Sequence, residues 1–272
     1  MRLTPAAVRD NALVDHGETQ RAWAHASEKY EREAAELLVQ ARQHRLEPVE
    51  EQLLAAEVPG AAVVHPMSGH GLDDLALARL GAASVLGLDY SPAAVRSAQQ
   101  RAETLGLPCR YREVELPGTG LPDGSADLIY TGKGALIWVA DLPAFLAEMH
   151  RILRPSGVFF VYEAHPLVPL WTWEPDEARV RADRGYFAPG HVNDTFPAGG
   201  AYEHQRTLAQ MVTGVLEVGF AVEHLAEHPD PFWKPGDLRA AAWDGRLPNS
   251  FSMLARRLGV LAHDVGDACV ES

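Results

Sequence analysis

With 272 residues, of which 47% are apolar, the chain is long enough for one large α/β domain, or one domain and a small cap, around a sizeable core. Its formal net charge of −13 disfavours nucleic acid as a partner, because an acidic protein repels phosphate backbones. The absence of a long apolar run, the charged N-terminus and only two distant cysteines, Cys109 and Cys269, predict a cytoplasmic protein without a membrane span, a secretory signal or a disulfide framework.

Residues 1–58 are predicted to form a helical cap over the main domain. Between residues 20 and 46, apolar and aromatic side chains recur at helical spacing, namely Trp23, Tyr30, Ala34, Leu37 and Leu38. Residues 47–60 predict a second, shorter helix that ends at the Pro59-Gly60 pair.

Strands and helices alternate through residues 59–165, which predicts a Rossmann-like doubly wound α/β sheet. Short apolar runs typical of strands buried on both faces begin at Ala61, and the crossovers between parallel strands are expected to be right-handed. We expect strands over residues 61–67, 84–90, 108–116, 125–131 and 158–165, and helices over residues 71–81, 91–106 and 141–154.

The alternation stops after His165. Residues 166–201 hold aromatic side chains among prolines, glycines and charges, and a segment of this length is expected to be a lid, a substrate-binding insert or a disordered segment. Residues 202–272 then complete the core, with a helix predicted over residues 202–219, strands over residues 220–228 and 249–258, and a tail.

The stretch HPMSGHGLDD, residues 65–74, links the first strand of the core to the following helix. Gly69 and Gly71 permit positive φ and a close approach of the backbone to a ligand, and the helix directs its N-terminal amides toward that ligand. Asp89 ends the second strand 18 residues after Gly71, where a carboxylate can accept hydrogen bonds from both hydroxyls of a ribose. A glycine loop with a strand-end acid therefore predicts a nucleoside ligand.

The same loop favours a nucleoside without phosphates. The pyrophosphate-binding pattern GxGxxG is absent, and Asp73 and Asp74 would repel a pyrophosphate at the start of the helix. S-adenosylmethionine contains adenosine, a sulfonium and an amino acid but no phosphate, so it fits this loop better than a dinucleotide does.

Over roughly residues 20–257, the chain resembles the class I S-adenosylmethionine-dependent methyltransferases of the bacterial small-molecule type. VVHPMSGHGLDDLALARLGA is similar to a subgroup's first motif, in which Gln-Cys-His-x-Gly-x-Asp replaces Gly-x-Gly-x-Gly, and VLGLDYSPAAV resembles the next motif, with Asp89 as the ribose acid. YREVEL, DLIYTGKGALIWVADL and LRPSGVFFVYEAHP resemble the third to fifth strand regions, and NSFSMLARR resembles the seventh, antiparallel strand. The resemblance implies a seven-stranded, mostly parallel sheet, S-adenosylmethionine as cofactor and S-adenosylhomocysteine as product.

The resemblance also implies which residues contact the cofactor. Glu115 matches an acid that receives the adenine amine, and Tyr30 matches an N-terminal tyrosine near the cofactor. Simpler roles stay open, because Asp89 could cap a helix, Glu115 could be a solvated acid and Tyr30 could serve packing. The predicted set is Tyr30, Met67, Gly69, Gly71, Asp73, Asp89, Tyr90, Glu115, Leu116 and Thr131.

Two places depart from the family pattern. Many members have an acid near the end of the first strand that holds the methionine amine, whereas this chain has His65-Pro66-Met67, so backbone carbonyls or Asp73 are left to hold it. Members of the subgroup often have Trp-Asn-His before the sixth strand. This chain has His204-Gln205-Arg206 there, so we expect a different substrate contact.

The residues predicted to act on the acceptor follow the fourth and fifth strands or lie in the cap and the insert. His165 is the best candidate for a general base, because imidazole titrates near neutral pH, and a structural histidine is the alternative. Lys133 is a candidate catalytic anchor for an anionic group, although we expect it to point to solvent. No histidine spacing predicts a metal site. The residues predicted to line the acceptor pocket are Trp23, Trp138, Trp171, Trp173, Tyr186, Phe187 and His204, with core packing as the alternative for Trp138.

The predicted function is S-adenosylmethionine-dependent methyl transfer to a small-molecule acceptor, such as a secondary metabolite, by a monomer or a homodimer. Direct displacement at a sulfonium carbon depends on alignment, which can lower a barrier by about 7–11 kcal/mol, more than on acid–base help. One alternative is an NAD(P)-dependent oxidoreductase, which would need a pyrophosphate loop and a Tyr-Lys or Cys-His pair. The other is a non-catalytic protein that binds an adenosyl cofactor.

Overall fold

A seven-stranded sheet organises the protein. The computed structural model describes residues 16–197, 199–233 and 238–259, so residues 1–15 of the predicted cap, Cys269 and the rest of the tail lie outside the described residues. The strands are β1 (Ala62–Pro66), β2 (Ser84–Asp89), β3 (Cys109–Glu113), β4 (Ala126–Gly132), β5 (Leu153–Ala164), β6 (Gly190–Val192), β7 (Tyr202–His204), β8 (Phe220–His228) and β9 (Ser250–Arg257).

The strand order of the sheet is β3-β2-β1-β4-β5-β9-β8, and β6 pairs with β7 in a separate two-stranded ribbon. β9 runs antiparallel to both of its neighbours, while β1 to β5 are parallel. This confirms the predicted Rossmann-like, mostly parallel sheet with an antiparallel last strand.

Helices cover the sheet, and none of those in the described ranges is long and apolar enough to cross a bilayer. The predicted N-terminal helix is divided at Glu33, and the helix predicted from residue 202 begins only at Leu208, because Tyr202–His204 pairs with Gly190–Val192 instead. The helices are α1 (His16–Arg32), α2 (Ala34–Gln43), α3 (Pro48–Leu54), α4 (Leu72–Arg79), α5 (Pro92–Leu105), α6 (Leu142–Ile152) and α7 (Leu208–Glu217).

Apolar side chains are buried on both faces of the sheet. Successive residues of a strand point to opposite faces, so Phe159 and Phe160 of β5, both fully buried, belong to two different core clusters. Ile129 and Tyr130 of β4 also belong to different core clusters, one on each face of the sheet. Burial on both faces explains why these central strands are almost continuously apolar in sequence.

Local sequence fixes where the helices that border the strand ends begin. Ser91 precedes Pro92 and its Oγ accepts a hydrogen bond from the Ala94 amide at 3.3 Å, so α5 starts directly after β2. Asp141 caps α6 through a 2.9 Å bond from the Ala144 amide. These helix starts leave Asp89 as the last residue of β2 and Lys133 in the loop directly after β4.

The cap helices are fastened to the core and to residues 166–201. Ser97 Oγ on α5 donates to the Tyr30 carbonyl at 2.9 Å, and Arg96 forms a 3.0 Å ion pair with Glu31. The Tyr202 amide donates to Thr19 Oγ1 at 2.9 Å, which joins α1 to β7. Helix α1 therefore joins helix α5 of the core to strand β7.

We predict that Gly87→Ala destabilises the fold by about 1–3 kcal/mol through overpacking. A Cβ at Gly87 would lie 2.5 Å from Tyr111 Cδ1 and 2.7 Å from Ser68 Oγ. Urea unfolding measures the change, and Gly118→Ala, whose Cβ would meet nothing within 4 Å, is the matched control and should stay within about 0.5 kcal/mol of the parent. Equal stability of the two variants would contradict the packing described for β2 and β3.

Candidate functional site

One cavity lies where the strand order of the sheet reverses. β1 sits between β2 and β4, and in doubly wound sheets ligands bind beyond the carboxyl ends of the strands at such a point. A cavity of about 730 Å³ opens there, lined by the residues that follow β1, β2, β3 and β4 and by helix α1. We call it the first cavity.

The glycine loop and Asp89 are joined directly. The Gly69 amide donates to Asp89 Oδ2 and the Ser91 amide donates to Asp89 Oδ1, both at 2.9 Å. Each carboxylate oxygen of Asp89 keeps a further acceptor position. Gly69 and Asp89 both line the first cavity. Burial raises the pKa of Asp89, against the lowering effect of the two amide bonds. A Cβ at Gly69, where φ is +53°, would meet nothing within 4 Å, so the loop backbone borders open cavity space.

Helix α1 closes the first cavity over the ends of β2 and β3. Gln20 Nε2 donates to Glu115 Oε1 at 2.8 Å, and Tyr90 Oη donates to the Gln20 carbonyl at 3.3 Å. The Tyr30 side chain on the same helix packs edge-on against His70 with ring centroids 5.4 Å apart. The contact made by Gln20 was not predicted, because nothing in an exposed helical glutamine indicates its partner.

Carboxylates dominate the charge of the first cavity. Among the described residues that line it, one lysine, Lys133, faces five acids, which are Glu47, Asp73, Asp89, Glu115 and Asp141. Such a cavity disfavours a pyrophosphate and favours a cationic or zwitterionic nucleoside ligand.

Lys133 does not point to solvent, contrary to the expectation from sequence. Its Nζ lies 2.8 Å from both Glu50 Oε2 and Asp73 Oδ1, and its side chain is 18% exposed. Burial alone would lower the pKa of Lys133, but the two carboxylates outweigh burial and raise it. Tyr130 Oη donates to Glu50 Oε1 at 2.6 Å, so an acid from α3 is fixed inside the core. Glu50 was missed because its α3 position is typical of a capping acid.

The acid Asp73 is held in its charged form. Burial opposes ionisation, but Lys133 and His44 outweigh it and hold the pKa of Asp73 well below its ordinary value. His44 Nε2 lies 2.7 Å from the same Oδ1 atom. Asp73 therefore borders the first cavity as a carboxylate, next to a lysine and a histidine.

The end of β1 holds a buried ion pair in place of the acid common in the family. His65 Nδ1 lies 2.6 Å from Asp74 Oδ1, and both side chains are buried. Burial opposes the charged imidazole, but Asp74 outweighs it and raises the pKa of His65 above its ordinary value. Asp74 is therefore engaged with His65.

A second cavity of about 810 Å³ adjoins the first. Residues of the segment 166–201, among them Trp171 and Trp173, line much of it. Trp138, for which core packing was the alternative, lines both cavities, and its ring packs edge-on against Trp23 with centroids 5.4 Å apart. The residues that line both cavities are Trp23, Lys133, Gly134, Trp138, His204 and Phe232.

Two buried charges that the sequence did not single out shape the loop between the cavities. Glu163 Oε2 accepts hydrogen bonds from the Ala135 and Leu136 amides, both at 2.9 Å. Arg206 donates to the Leu136 carbonyl at 3.2 Å and to the Ala140 carbonyl at 2.9 Å. A charge inside an apolar strand was the available signal for Glu163, and the family departure at residues 204–206 was the signal for Arg206.

His165 lines the second cavity, and a polar group lies close to each of its ring nitrogens, although Nε2 makes no hydrogen bond with good geometry. The Leu167 amide donates to Nδ1 at 3.2 Å, and Nε2 lies 2.7 Å from Glu227 Oε1. Burial lowers the pKa of His165, against the raising effect of Glu227. This arrangement suits a residue that fixes the start of the segment after β5.

Four predicted site residues lie outside the cavity linings. Thr131 is fully buried inside β4, and Gly71 packs against Tyr111, whose hydroxyl a Cβ at position 71 would approach to 2.4 Å. The Leu208 amide donates to Tyr186 Oη at 3.3 Å, and Phe187 is 89% exposed. The structure therefore gives Thr131, Gly71, Tyr186 and Phe187 no direct place at either cavity. In the described ranges, no cluster of three or more histidines, cysteines or acids could hold a metal ion.

The fold and the first cavity together define the class: a Rossmann-like α/β protein with an acidic cavity at the β1 switch point. Comparison with known proteins agrees with this class. Residues 67–161 match the family described as methyltransferase domain.

Two curated relatives and one solved structure show the extent of the similarity. The chain is 34% identical over 99 residues to demethylmenaquinone methyltransferase from Thermus thermophilus, covering 35% of this chain and 44% of that protein. It is 30% identical over 181 residues to the biotin biosynthesis bifunctional protein BioCD from Bordetella avium, covering 62% and 37%. The S-adenosylmethionine-dependent methyltransferase structure from Mesorhizobium loti aligns with a TM-score of 0.61 and 28% identity, over 76% of this chain and 97% of that one.

The chain is similar to class I S-adenosylmethionine-dependent methyltransferases in its matched domain and in its seven-stranded sheet. It spans less than half the length of these curated relatives, 44% and 37% respectively.

We predict that His70 makes stability fall in acid. Burial lowers the pKa of His70 to about 4; Asp73 opposes this effect and Arg101 adds to it. Because the unfolded pKa is about 6.5, the contribution is complete above that pH and is lost as pH falls toward 4. The free energy of unfolding of the parent minus that of His70→Gln should drop by about 3 kcal/mol across this window.

Urea unfolding at several pH values measures this difference. His25→Gln, in which the replaced side chain is 86% exposed, is the control and should give a nearly constant difference. A pH-independent difference for His70→Gln would contradict a buried neutral imidazole.

Proposed function

We propose that this protein transfers the methyl group of S-adenosylmethionine to a small-molecule acceptor. The observation that supports this most strongly is the Asp89 carboxylate, bound by the Gly69 and Ser91 amides at the first cavity, which adjoins a second, aromatic cavity. S-adenosylmethionine, when bound, supplies a methyl group on a positively charged sulfur.

The residues of the first cavity suit this donor. Asp89 offers acceptors for the ribose hydroxyls, and Glu115 with Leu116 lies beyond β3 where the adenine would be held. Tyr30, Met67, Tyr90 and Gly69 complete the lining on that side. The excess of carboxylates stabilises a sulfonium and opposes a pyrophosphate, which disfavours the oxidoreductase alternative.

The second cavity suits an acceptor with a planar or hydrophobic body. Trp23, Trp138, Trp171 and Trp173 line it, and its volume of about 810 Å³ lies in the range of small-molecule sites. We therefore assign residues 166–201 to acceptor binding, residues 59–165 to the donor core, and residues 1–58 to a cap whose helix α1 separates the donor from solvent. His204 and Trp138, which line both cavities, would lie beside the transferred group.

Alignment is the main catalytic contribution that we propose for the chain. The leaving thioether needs no proton, so the residues shared by the two cavities must hold the nucleophile in line with the sulfur–methyl bond and exclude water, which can supply about 7–11 kcal/mol. The polar groups close to both ring nitrogens of His165 favour a positioning role over that of a general base. Lys133 is charged and paired, so it cannot accept a proton from the acceptor.

The working form that we propose is a cytoplasmic monomer or homodimer without a nucleic-acid substrate. Residues of one chain line both cavities, so the site does not need a second copy. The net charge of −13 supports the absence of nucleic acid.

We predict that Asp89→Asn weakens binding of S-adenosylhomocysteine by about 10–100-fold, because hydrogen bonds to a charged acceptor contribute about 1.5–3 kcal/mol. Isothermal titration calorimetry measures the affinity. Asp123→Asn, at a side chain that is 80% exposed, is the control and should bind as the parent does. NAD⁺ serves as the competing ligand, and preference for NAD⁺ would overturn the assignment.

Methyl transfer itself is testable without knowing the acceptor. The protein is incubated with a small-molecule extract and either ordinary or methyl-deuterated S-adenosylmethionine, and mass spectrometry searches for products that differ only by the label. We expect labelled product with the parent and much less with Asp89→Asn. Donor binding without any labelled product, across extracts from several sources, would favour the non-catalytic alternative.

A further inference from the structure

We propose that Lys133 and Asp73 recognise the two charges of the donor's amino-acid end, Lys133 binding the carboxylate and Asp73 the ammonium group. This inference rests on the proposed function. It assigns the task that an acid at the end of the first strand performs in many members of the family to a lysine after β4 and an acid on α4.

The strand order places this pair at the correct end of the cavity. Asp89 and Glu115 follow β2 and β3, on one side of β1, whereas Lys133 follows β4 on the other side. A nucleoside bound at Asp89 and Glu115 would therefore extend its remaining substituent across the end of β1 toward Lys133 and Asp73.

The end of β1 provides no acid that could bind the ammonium group of the donor. His65 and Asp74 are both buried and lie 2.6 Å apart, and Asp74 is fully buried and does not line the first cavity. Among the described residues lining the first cavity, Lys133 is the only lysine or arginine, and Asp73 lies directly beside it. A zwitterion matches such a pair of opposite charges.

Lys133 retains a donor and Asp73 retains an acceptor. The ammonium of Lys133 has three N–H groups, of which two are directed to Glu50 and Asp73. Both bonds that Asp73 accepts, from Lys133 and from His44, go to Oδ1, which leaves Oδ2 for a ligand. Glu50 is fully buried, whereas Asp73 and Lys133 keep 12% and 18% of their side chains exposed at the cavity. Glu50 therefore holds Lys133 in place from inside the core. Lys133 and Asp73 are the residues whose charges reach the first cavity.

The backbone at Lys133 is unusual in a way that fits a binding role. Lys133 has φ +55° between Gly132 and Gly134, both of which also have positive φ. A lysine rarely adopts this conformation, and the fold retains it here through a 2.7 Å bond from the Lys133 amide to the Tyr162 carbonyl. Met67, another residue with positive φ that is not glycine, lines the same cavity.

The first experiment uses the unmodified protein. Calorimetry compares S-adenosylmethionine with its decarboxylated form, and S-adenosylhomocysteine with 5′-methylthioadenosine, which keeps the nucleoside and the thioether but lacks the amino-acid end. We expect at least about tenfold weaker binding for the truncated member of each pair. Equal affinities within each pair would overturn the inference while leaving the proposed function intact. If neither S-adenosylmethionine nor S-adenosylhomocysteine binds, the proposed function fails first.

The second experiment assigns the charges to residues. Lys133→Met and Asp73→Asn should each weaken S-adenosylhomocysteine by about 10–100-fold and leave 5′-methylthioadenosine within about twofold of the parent. Lys133→Met should bind decarboxylated S-adenosylmethionine as the parent does. Equal loss for the complete and truncated ligands would indicate a merely structural role and overturn the assignment.

Matched controls separate recognition from net charge and folding. Arg79→Met on α4 and Glu103→Gln on α5 change the charge by the same amounts at exposed positions and should keep the parent affinities. Thermal unfolding checks that each variant is folded. Should Lys133→Met fail to fold, Lys133→Arg keeps the charge and should retain the preference for S-adenosylhomocysteine over 5′-methylthioadenosine; loss of that preference contradicts the role of a cation at this position.

Discussion

A buried lysine has to be paired, and the pairing of Lys133 joins three parts of the chain. Its Nζ bridges Glu50 of the cap and Asp73 of the α4 start from a position just after β4. Removing one partner from such a buried cluster leaves an uncompensated charge and costs about 3–5 kcal/mol. The cap helices, the glycine loop and the end of β4 are therefore held in one arrangement around the first cavity, and the shape of that cavity depends on this arrangement.

The two cavities have different chemical characters for the same structural reason. The first is built mainly from the loops at the carboxyl ends of parallel strands, where backbone amides and strand-end acids converge. The second is built mainly from the segment between β5 and α7, which holds the short strands β6 and β7 and several aromatic residues. The sheet thus supports a charged cavity, and the segment after β5 supplies an aromatic cavity beside it. The residues shared by both cavities are few, so the contact between two bound molecules would be confined to a small region.

Predictions from sequence succeeded where a local pattern has one structural meaning. Ser91 with Pro92 predicted the start of α5, and the apolar runs predicted the central strands. They were incomplete where a partner distant in sequence decides the outcome. Lys133 in isolation suggested an exposed cation, but Glu50, 83 positions earlier in the chain, and Asp73 bury it. Thr131 belongs to a recognisable strand, yet its side chain is buried inside the sheet, away from the cavity.

The sequence by itself determined the α/β class, the mostly parallel sheet and the position of the glycine loop and Asp89 at the strand ends, because periodicity, caps and strand-end acids act over a few residues. Only the tertiary structure decided which side chains meet. It paired His65 with Asp74, brought polar groups close to both ring nitrogens of His165 and placed Trp138 between two cavities. Charge pairing and cavity lining depend on elements far apart in the chain, and burial makes those pairings obligatory only once the fold has brought the elements together.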